Sequence, residues 1–233
     1  MRLAIISDIH SNLQALTKAL EVIQERQVDE ILCLGDIVGY GANPNECVEL
    51  TKKHCSTILL GNHDLAALDP SAAEQFTAIA RIAALWTGEQ LQPDHKSFLG
   101  TLPYVARRDG AMLVHSSPYE PEEWHYIFTA LDARAMFNSF SESLCFVGHS
   151  HVPGVYAEQP GHRHVNRDGR FIVNVGSVGQ PRDGNPKLSF GIFDVENWEY
   201  ENVRALYDVK SASAEILKAG LPNALGERLF AGL

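Results

Sequence analysis

The chain has 233 residues, 45% of them hydrophobic and 21% charged, a balance that supports a buried core and argues against disorder. Its formal charge of -10 excludes a protein that grips nucleic acid nonspecifically through phosphate contacts, because that takes clustered Lys and Arg. No stretch approaches the roughly 20 apolar residues of a membrane span, and the opening run Leu3–Ile6 is too short for a signal-peptide core.

The expected state is therefore one soluble, cytoplasmic domain over residues 1–233, with no membrane partner and with homo-oligomer formation left open. Cys33, Cys47, Cys55 and Cys145 show no CxxC spacing and read as small buried hydrophobes in a reducing compartment.

In chain order, Leu3–Ser7 is a short apolar run that predicts a strand. Leu13, Leu16, Leu20 and Ile23 follow at helical spacing, with Ser11 or Asn12 placed as cap. A second strand is predicted over Glu30–Leu34, a helix from Pro44 to about Lys53, and a third strand over Thr57–Leu60. This β-α-β-α-β rhythm implies a parallel sheet buried on both faces.

Residues 65–102 read as mostly helical, and Thr87-Gly88-Glu89-Gln90 has the pattern of a capping box. Strands resume at Ala111–Val114 and Leu144–Val147, with a loop from Ser117 to Pro121 and a helix near Leu131–Phe140 between them. From Val152 the signals turn antiparallel, with runs at Val155-Tyr156, Phe171–Val175, Leu188–Asp194 and Glu199–Leu206. These predict a second sheet packed on the first, and a helical tail from Val209 broken at Gly220-Leu221-Pro222.

The chemistry lies at the carboxyl end of each apolar run. Leu3–Ser7 ends in Asp8-Ile9-His10, and Ile31–Leu34 in Gly35-Asp36. Ile58–Leu60 ends in Gly61-Asn62-His63-Asp64, Met112–Val114 in His115, and Phe146-Val147 in Gly148-His149-Ser150-His151. The carboxyl edge of an α/β sheet is where an active-site crevice forms, so these residues are expected to converge. Carboxylate, amide oxygen and imidazole together suit Mn, Fe, Co, Ni or Zn. Asp8, His10, Asp36, Asn62, His115, His149 and His151 are too many ligands for one ion; two ions roughly 3.5–4 Å apart that share a carboxylate would use them all. Gly35, Gly61 and Gly148 are read as letting the chain turn sharply there.

Taken in order, these blocks resemble the calcineurin-like metallophosphoesterase superfamily: Asp8-x-His10, Gly35-Asp36-x-x-Gly39, Gly61-Asn62-His63-Asp64, His115 and Gly148-His149-Ser150-His151. The later Gly176–Gly184 stretch is similar to a loop of its small bacterial and archaeal members. The resemblance implies a four-layer α-β-β-α sandwich of two mixed sheets flanked by helices. It implies that Asp8, His10 and His151 bind one metal, that Asn62, His115 and His149 bind the other, and that Asp36 bridges them. The two ions would supply a water acidic enough to attack phosphorus near neutral pH. His63 is the candidate to protonate the leaving oxygen, with Asp64 orienting its ring and raising its pKa.

Arg182 has two readings, a phosphate grip or a solvated loop charge, and Asn12 two others, helix cap or substrate contact. His162 and His164 are read as surface residues. Trp124, His125 and Tyr126 are read as packed in a loop that could also overhang the site. Protein phosphatases of the superfamily carry an Arg shortly after the Gly-Asp block, where this chain has Ile37-Val38-Gly39-Tyr40-Gly41. The favoured activity is therefore a phosphodiesterase with monoesterase side activity on a small-molecule or nucleotide ester. The alternatives are a protein or dinucleoside-polyphosphate phosphatase, a metal-binding regulator, and an inactive interaction module like the retromer subunit that shares this fold.

Overall fold

The structure is a computed structural model that describes residues 1–159, 161 and 164–233. The chain opens as expected with β1 (Arg2–Ile6), α1 (Leu13–Glu25), β2 (Glu30–Cys33), α2 (Pro44–His54) and β3 (Thr57–Ile58). Asn12 caps α1 by accepting the Ala15 N–H at 3.1 Å, and Pro44 occupies the first turn of α2. Lys52, Lys53 and His54 lie in the last turn of α2, where they complement the helix dipole. The middle segment holds α3 (Asn62–Leu68), α4 (Ala78–Gln90) and α5 (Pro93–Leu99).

Next come β4 (Val105–Arg108), β5 (Ala111–Val114), α6 (Ala130–Met136), β6 (Leu144–Val147), β7 (Gly154–Ala157) and β8 (Phe171–Asn174). The chain then runs through β9 (Leu188–Asp194), β10 (Glu199–Ala205), α7 (Val209–Lys218) and α8 (Asn223–Ala231). Among the described residues these strands form two sheets of five, ordered β10-β9-β1-β2-β3 and β4-β5-β6-β8-β7. β1, β2 and β3 run parallel, as do β5, β6 and β8, whereas β9 pairs antiparallel with β1, Leu3 opposite Phe193.

Side-chain alternation along the strands builds the four layers. Leu3 and Ile5 of β1 join Leu113, Phe146, Phe171 and Val173 in a core between the sheets. Ala4 and Ile6 face the other way, onto Leu16, Ala19 and Ile23 of α1. Beyond the second sheet, Met112, Val114 and Ile172 pack on Ala133 and Phe137. The fold is the predicted α-β-β-α sandwich. All four cysteines are free, and among the described residues no helix is long and apolar enough to cross a membrane.

Three local expectations are corrected. The later strands do not make a sheet of their own: β7 and β8 join β5 and β6, while β9 and β10 return to the first sheet. A strand buried on both faces reads as a continuous apolar run whichever sheet it enters, so pattern alone could not assign β9. β4 was not expected, because its two arginines disguise a sheet edge, where charge is tolerated. Thr87 does not begin a helix: Thr77 caps α4, which runs on to Gln90 with Thr87 buried inside it. Gly88 is there because a Cβ would sit 2.6 Å from the Ala67 carbonyl oxygen, so it permits the close packing of α4 on α3.

Candidate metal centre

The carboxyl ends of β1, β2 and β3 in one sheet, and of β5 and β6 in the other, deliver the residues predicted to converge. The crevice thus lies across two sheets rather than along one. Asp8, His10, Asp36, Asn62, His115, His149 and His151 are all buried. Asp8, His10, Asp36 and His151 form one cluster and Asp36, His115 and His149 another, with the donor atoms of each group within 4.8 Å of one another. Asp36 is common to both. Asn62 Oδ1 lies 3.2 Å from His115 Nε2, at the edge of the second.

Backbone carbonyls hold the imidazoles. Nδ1 of His10, His115 and His151 lies 3.1, 3.1 and 2.6 Å from the oxygens of Val38, Leu34 and Gln180, so each Nδ1–H donates outward and leaves Nε2 as the basic atom facing in. His149 is reversed: its Nε2–H donates to the Trp124 oxygen at 2.9 Å, which leaves Nδ1 basic. The carboxylates are held by main-chain N–H groups. Asp8 accepts from His149 N at 3.0 Å, and Asp36 from His63 N at 2.8 Å, in the first turn of α3.

This arrangement tests whether a cation fits. His10 Nε2 and His151 Nε2 face each other at 3.1 Å, and with both Nδ1 protons donated outward two lone pairs meet. Asp36 Oδ2 lies 3.3 Å from His115 Nε2 and 3.5 Å from His10 Nε2, and Asp8 Oδ1 lies 3.2 Å from His151 Nε2. A buried set in which acceptors outnumber donors repels itself unless positive charge lies between them. The set of imidazole, carboxylate and amide oxygen therefore fits a divalent metal site.

The ionisation of the residues agrees. Burial tends to raise Asp36, but the neighbouring His115 and His63 hold its carboxyl well below the usual range. Burial lowers His10 well below its ordinary value and carries His149 down to about 3. On His115 the lowering by burial is outweighed by Asp36, whose charge and hydrogen bond lift the ring to about 9. Imidazole and carboxylate thus compete for a positive charge at this point.

Residues 1–198 match the model of the calcineurin-like phosphoesterase superfamily domain. The chain belongs to that superfamily. An uncharacterised protein of Methanocaldococcus jannaschii, MJ0912, is 43% identical over 240 residues, 99% of this chain and 98% of its own. A metallophosphoesterase from Sphaerobacter thermophilus superposes with a TM-score of 0.89 at 40% identity, covering 100% of this chain and 99% of that one. A hypothetical protein from Pyrococcus horikoshii OT3, PH1004, reaches 0.86 at 22% identity over 100% and 98%, a likeness of fold.

In this member of the superfamily the glycines serve close approach more than turning. A Cβ at Gly61 would fall 2.1 Å from Asp36 Oδ1, and one at Gly148 2.4 Å from Asp8 Oδ2. Of Gly35, Gly61 and Gly148, Gly35 alone has positive φ, at 106°. The sharp turns fall instead on the functional residues, with φ of 54° at Asp8, 50° at His10, 52° at Asp36, 64° at His149 and 59° at His151.

The expected role of Asp64 is not found. Its carboxylate accepts the N–H groups of Val38 and Gly61, both at 3.0 Å, and so braces the loops after β2 and β3 rather than the His63 ring. Burial, then the charge of Asp36, lifts Asp64 to about 7. His63 moves opposite to the expected rise: burial takes it down to about 4, against the pull of Asp36. Its Nδ1 is buried without a partner against Gly39, which leaves Nε2 as the nitrogen toward the cavity.

Of the two readings of Asn12, the structure bears out the helix cap. While its Oδ1 caps α1, its Nδ2 donates to Gly179 O at 2.7 Å and to Tyr207 Oη at 3.3 Å, so the amide ties the glycine-rich loop to the helix and is not available to a substrate.

A cavity of about 600 Å³ opens beside the centre, walled by His63, Arg182, Tyr40, Trp124 and Tyr126 among others. Arg182 is half-buried in this wall, with its guanidinium on the Gln180 amide at 2.8 Å and 5.5 Å from the Tyr40 ring centroid. The loop read mainly as ordinary packing does overhang the site: Tyr126 stacks on His149 with centroids 4.0 Å apart, while His125 turns away onto Glu120. His164 is exposed as expected, and His162 lies outside the described residues. Sequence reasoning missed Phe76 and Arg228, which reach the cavity from the middle segment and from α8; neither stands in a motif that marked it.

Proposed function

We propose that this chain, acting as one cytoplasmic domain over residues 1–233, is a dinuclear metal-dependent phosphoesterase that prefers phosphodiesters. The observation that carries this reading is Asp36, the carboxylate common to two buried donor clusters. Asp8, His10 and His151 are assigned to one ion and Asn62, His115 and His149 to the other, with Asp36 shared. The ions are of the Mn, Fe, Co, Ni or Zn class. When bound, they would polarise the phosphoryl oxygens and make a water nucleophilic near neutral pH.

The remaining roles fall to the cavity wall. Arg182, whose side chain among the described residues rests on the Gln180 amide and the Tyr40 ring face, is free to bind the equatorial oxygens of a phosphoryl group. His63 presents Nε2 to the same space and holds the proton for the leaving oxygen; an anionic ester bound beside it raises the low value of the free ring. The preference for a diester rests on a cavity of about 600 Å³, roomy enough for a second ester substituent. The small-molecule or nucleotide character of that ester rests on the aromatic side chains Tyr40, Phe76, Trp124 and Tyr126 in the cavity wall.

The test is turnover of bis-nitrophenyl phosphate and nitrophenyl phosphate by protein reconstituted with each metal in turn, with metal content measured. Two metals per chain and faster diester cleavage are expected. Faster monoester cleavage would reverse the preference, and inert protein with every metal would overturn the proposal.

A further inference from the structure

Tyr40 links the metal centre to a second positively charged position. One side of its ring meets His10 and His63, with centroids at 4.8 and 4.4 Å. Two guanidinium groups approach the same ring, Arg182 at 5.5 Å and Arg228 at 5.9 Å. Both are half-buried and line the cavity that holds His63 and Asn62.

Among the described residues neither guanidinium pairs with a side-chain carboxylate. Arg182 rests on the Gln180 amide, and Arg228 donates through Nε to the main-chain oxygen of Leu233. Two like charges that share one ring, partly out of water, repel each other, and a ring face offsets little of that cost. Burial, and after it the charge of Arg182, holds Arg228 below the ordinary arginine value. Five arginines elsewhere do pair with carboxylates, Arg26 with Glu201, Arg107 with Glu142, Arg108 with Glu30, Arg170 with Glu158 and Arg204 with Asp183, whereas Arg182 and Arg228 line the cavity without a side-chain carboxylate among the described residues.

The two cations are not equivalent. Arg182 stands next to the centre, its main-chain N–H donating to the oxygen of His151 at 3.3 Å, whereas Arg228 reaches the cavity from α8 and meets the Tyr40 ring at 5.9 Å. We infer that Arg228, with Arg182 and the Tyr40 face, forms a subsite for a second phosphoryl group joined to the one at the metal centre. The substrate class is then a phosphoanhydride-bearing small molecule. The inference rests on the proposed phosphoesterase site and specifies what that site takes.

Binding of two hydrolysis-resistant probes tests it: methylphosphonate, with one phosphoryl group, and methylenediphosphonate, with two. Both are titrated by calorimetry into the full-length, metal-loaded protein with metal in excess. The diphosphonate is expected to bind the native protein more tightly, and Arg228→Gln to reduce that advantage on the order of tenfold. Gln keeps a donor for Leu233, and Arg228→Lys, which keeps the charge, is expected to recover part of the loss.

Equal weakening of both probes, no weakening, or no recovery by Lys while both variants melt like the native protein would overturn the subsite. Binding is read without turnover, so the two failures separate. A protein inert toward esters that still shows the Arg228-dependent advantage keeps the subsite and loses the esterase. An active esterase without that advantage does the reverse.

Discussion

The floor and the wall of the cavity are built by different means. The floor is Asp8, His10, Asp36, His115 and His151, set at strand ends, wholly buried and held by main-chain carbonyls or N–H groups. The wall is Tyr40, His63, Phe76, Trp124, Tyr126, Arg182 and Arg228, drawn from helices and loops and held mainly by ring contacts. The floor is braced by main-chain groups, as a metal site requires, while the wall, built from loops and helices, is where the proposed site would tell one ester from another.

If that division holds, floor variants lose metal and wall variants keep it. The largest effect is expected from Asp36→Ala: both ions lost by elemental analysis and activity reduced to background. A variant that retained one tightly bound ion would move Asp36 out of its shared position. Next comes His63→Gln, expected to bind metal normally yet turn over about 10²–10⁴-fold more slowly, by steady-state kinetics. Full metal with full activity would remove His63 from the reaction.

Tyr126→Ala exposes one face of His149 and joins the two regions, so a loss of about 10–100-fold in metal affinity or activity is expected. Removing the metals alone should also register in the fold. Protein stripped by chelation is expected to gain about 2.7 kcal/mol for each ion restored at 100 times its Kd, a rise of roughly 5–10 °C in Tm per ion by calorimetry. The smallest effect belongs to Asp64→Asn, which removes one of two buried acceptors and should cost about 1–3 kcal/mol of stability in urea unfolding. A large kinetic loss there with unchanged stability would return Asp64 to the chemistry.

The floor was legible in the sequence because its spacing is local: each ligand lies within a few residues of an apolar run, and strand ends converge by topology. The four layers followed from the same alternation. The wall was not legible. Arg228 lies on a helix far down the chain from Tyr40, and no periodicity relates them. The sequence neighbours His63 and Asp64 suggested a pair, yet at the start of α3 successive side chains point apart, which sends Asp64 back to Gly61 and Val38. Asn12 illustrates the reverse case, since both of its readings were legible and only the partners of Nδ2 decided between them.

The left-handed backbone at Asp8, His10, Asp36, His149 and His151 sets these donors against the main chain that carries them. Each of these conformations costs an L-residue about 1 kcal/mol that glycine would not pay. Glycine at such a position would relax the main chain and thin the crowd of acceptors, but it would leave unpaired the main-chain N–H or carbonyl that the lost side chain holds. What the donors hold must therefore outweigh the local strain they impose, so the same five positions are at once uncomfortable points of the main chain and the ones the buried clusters depend on.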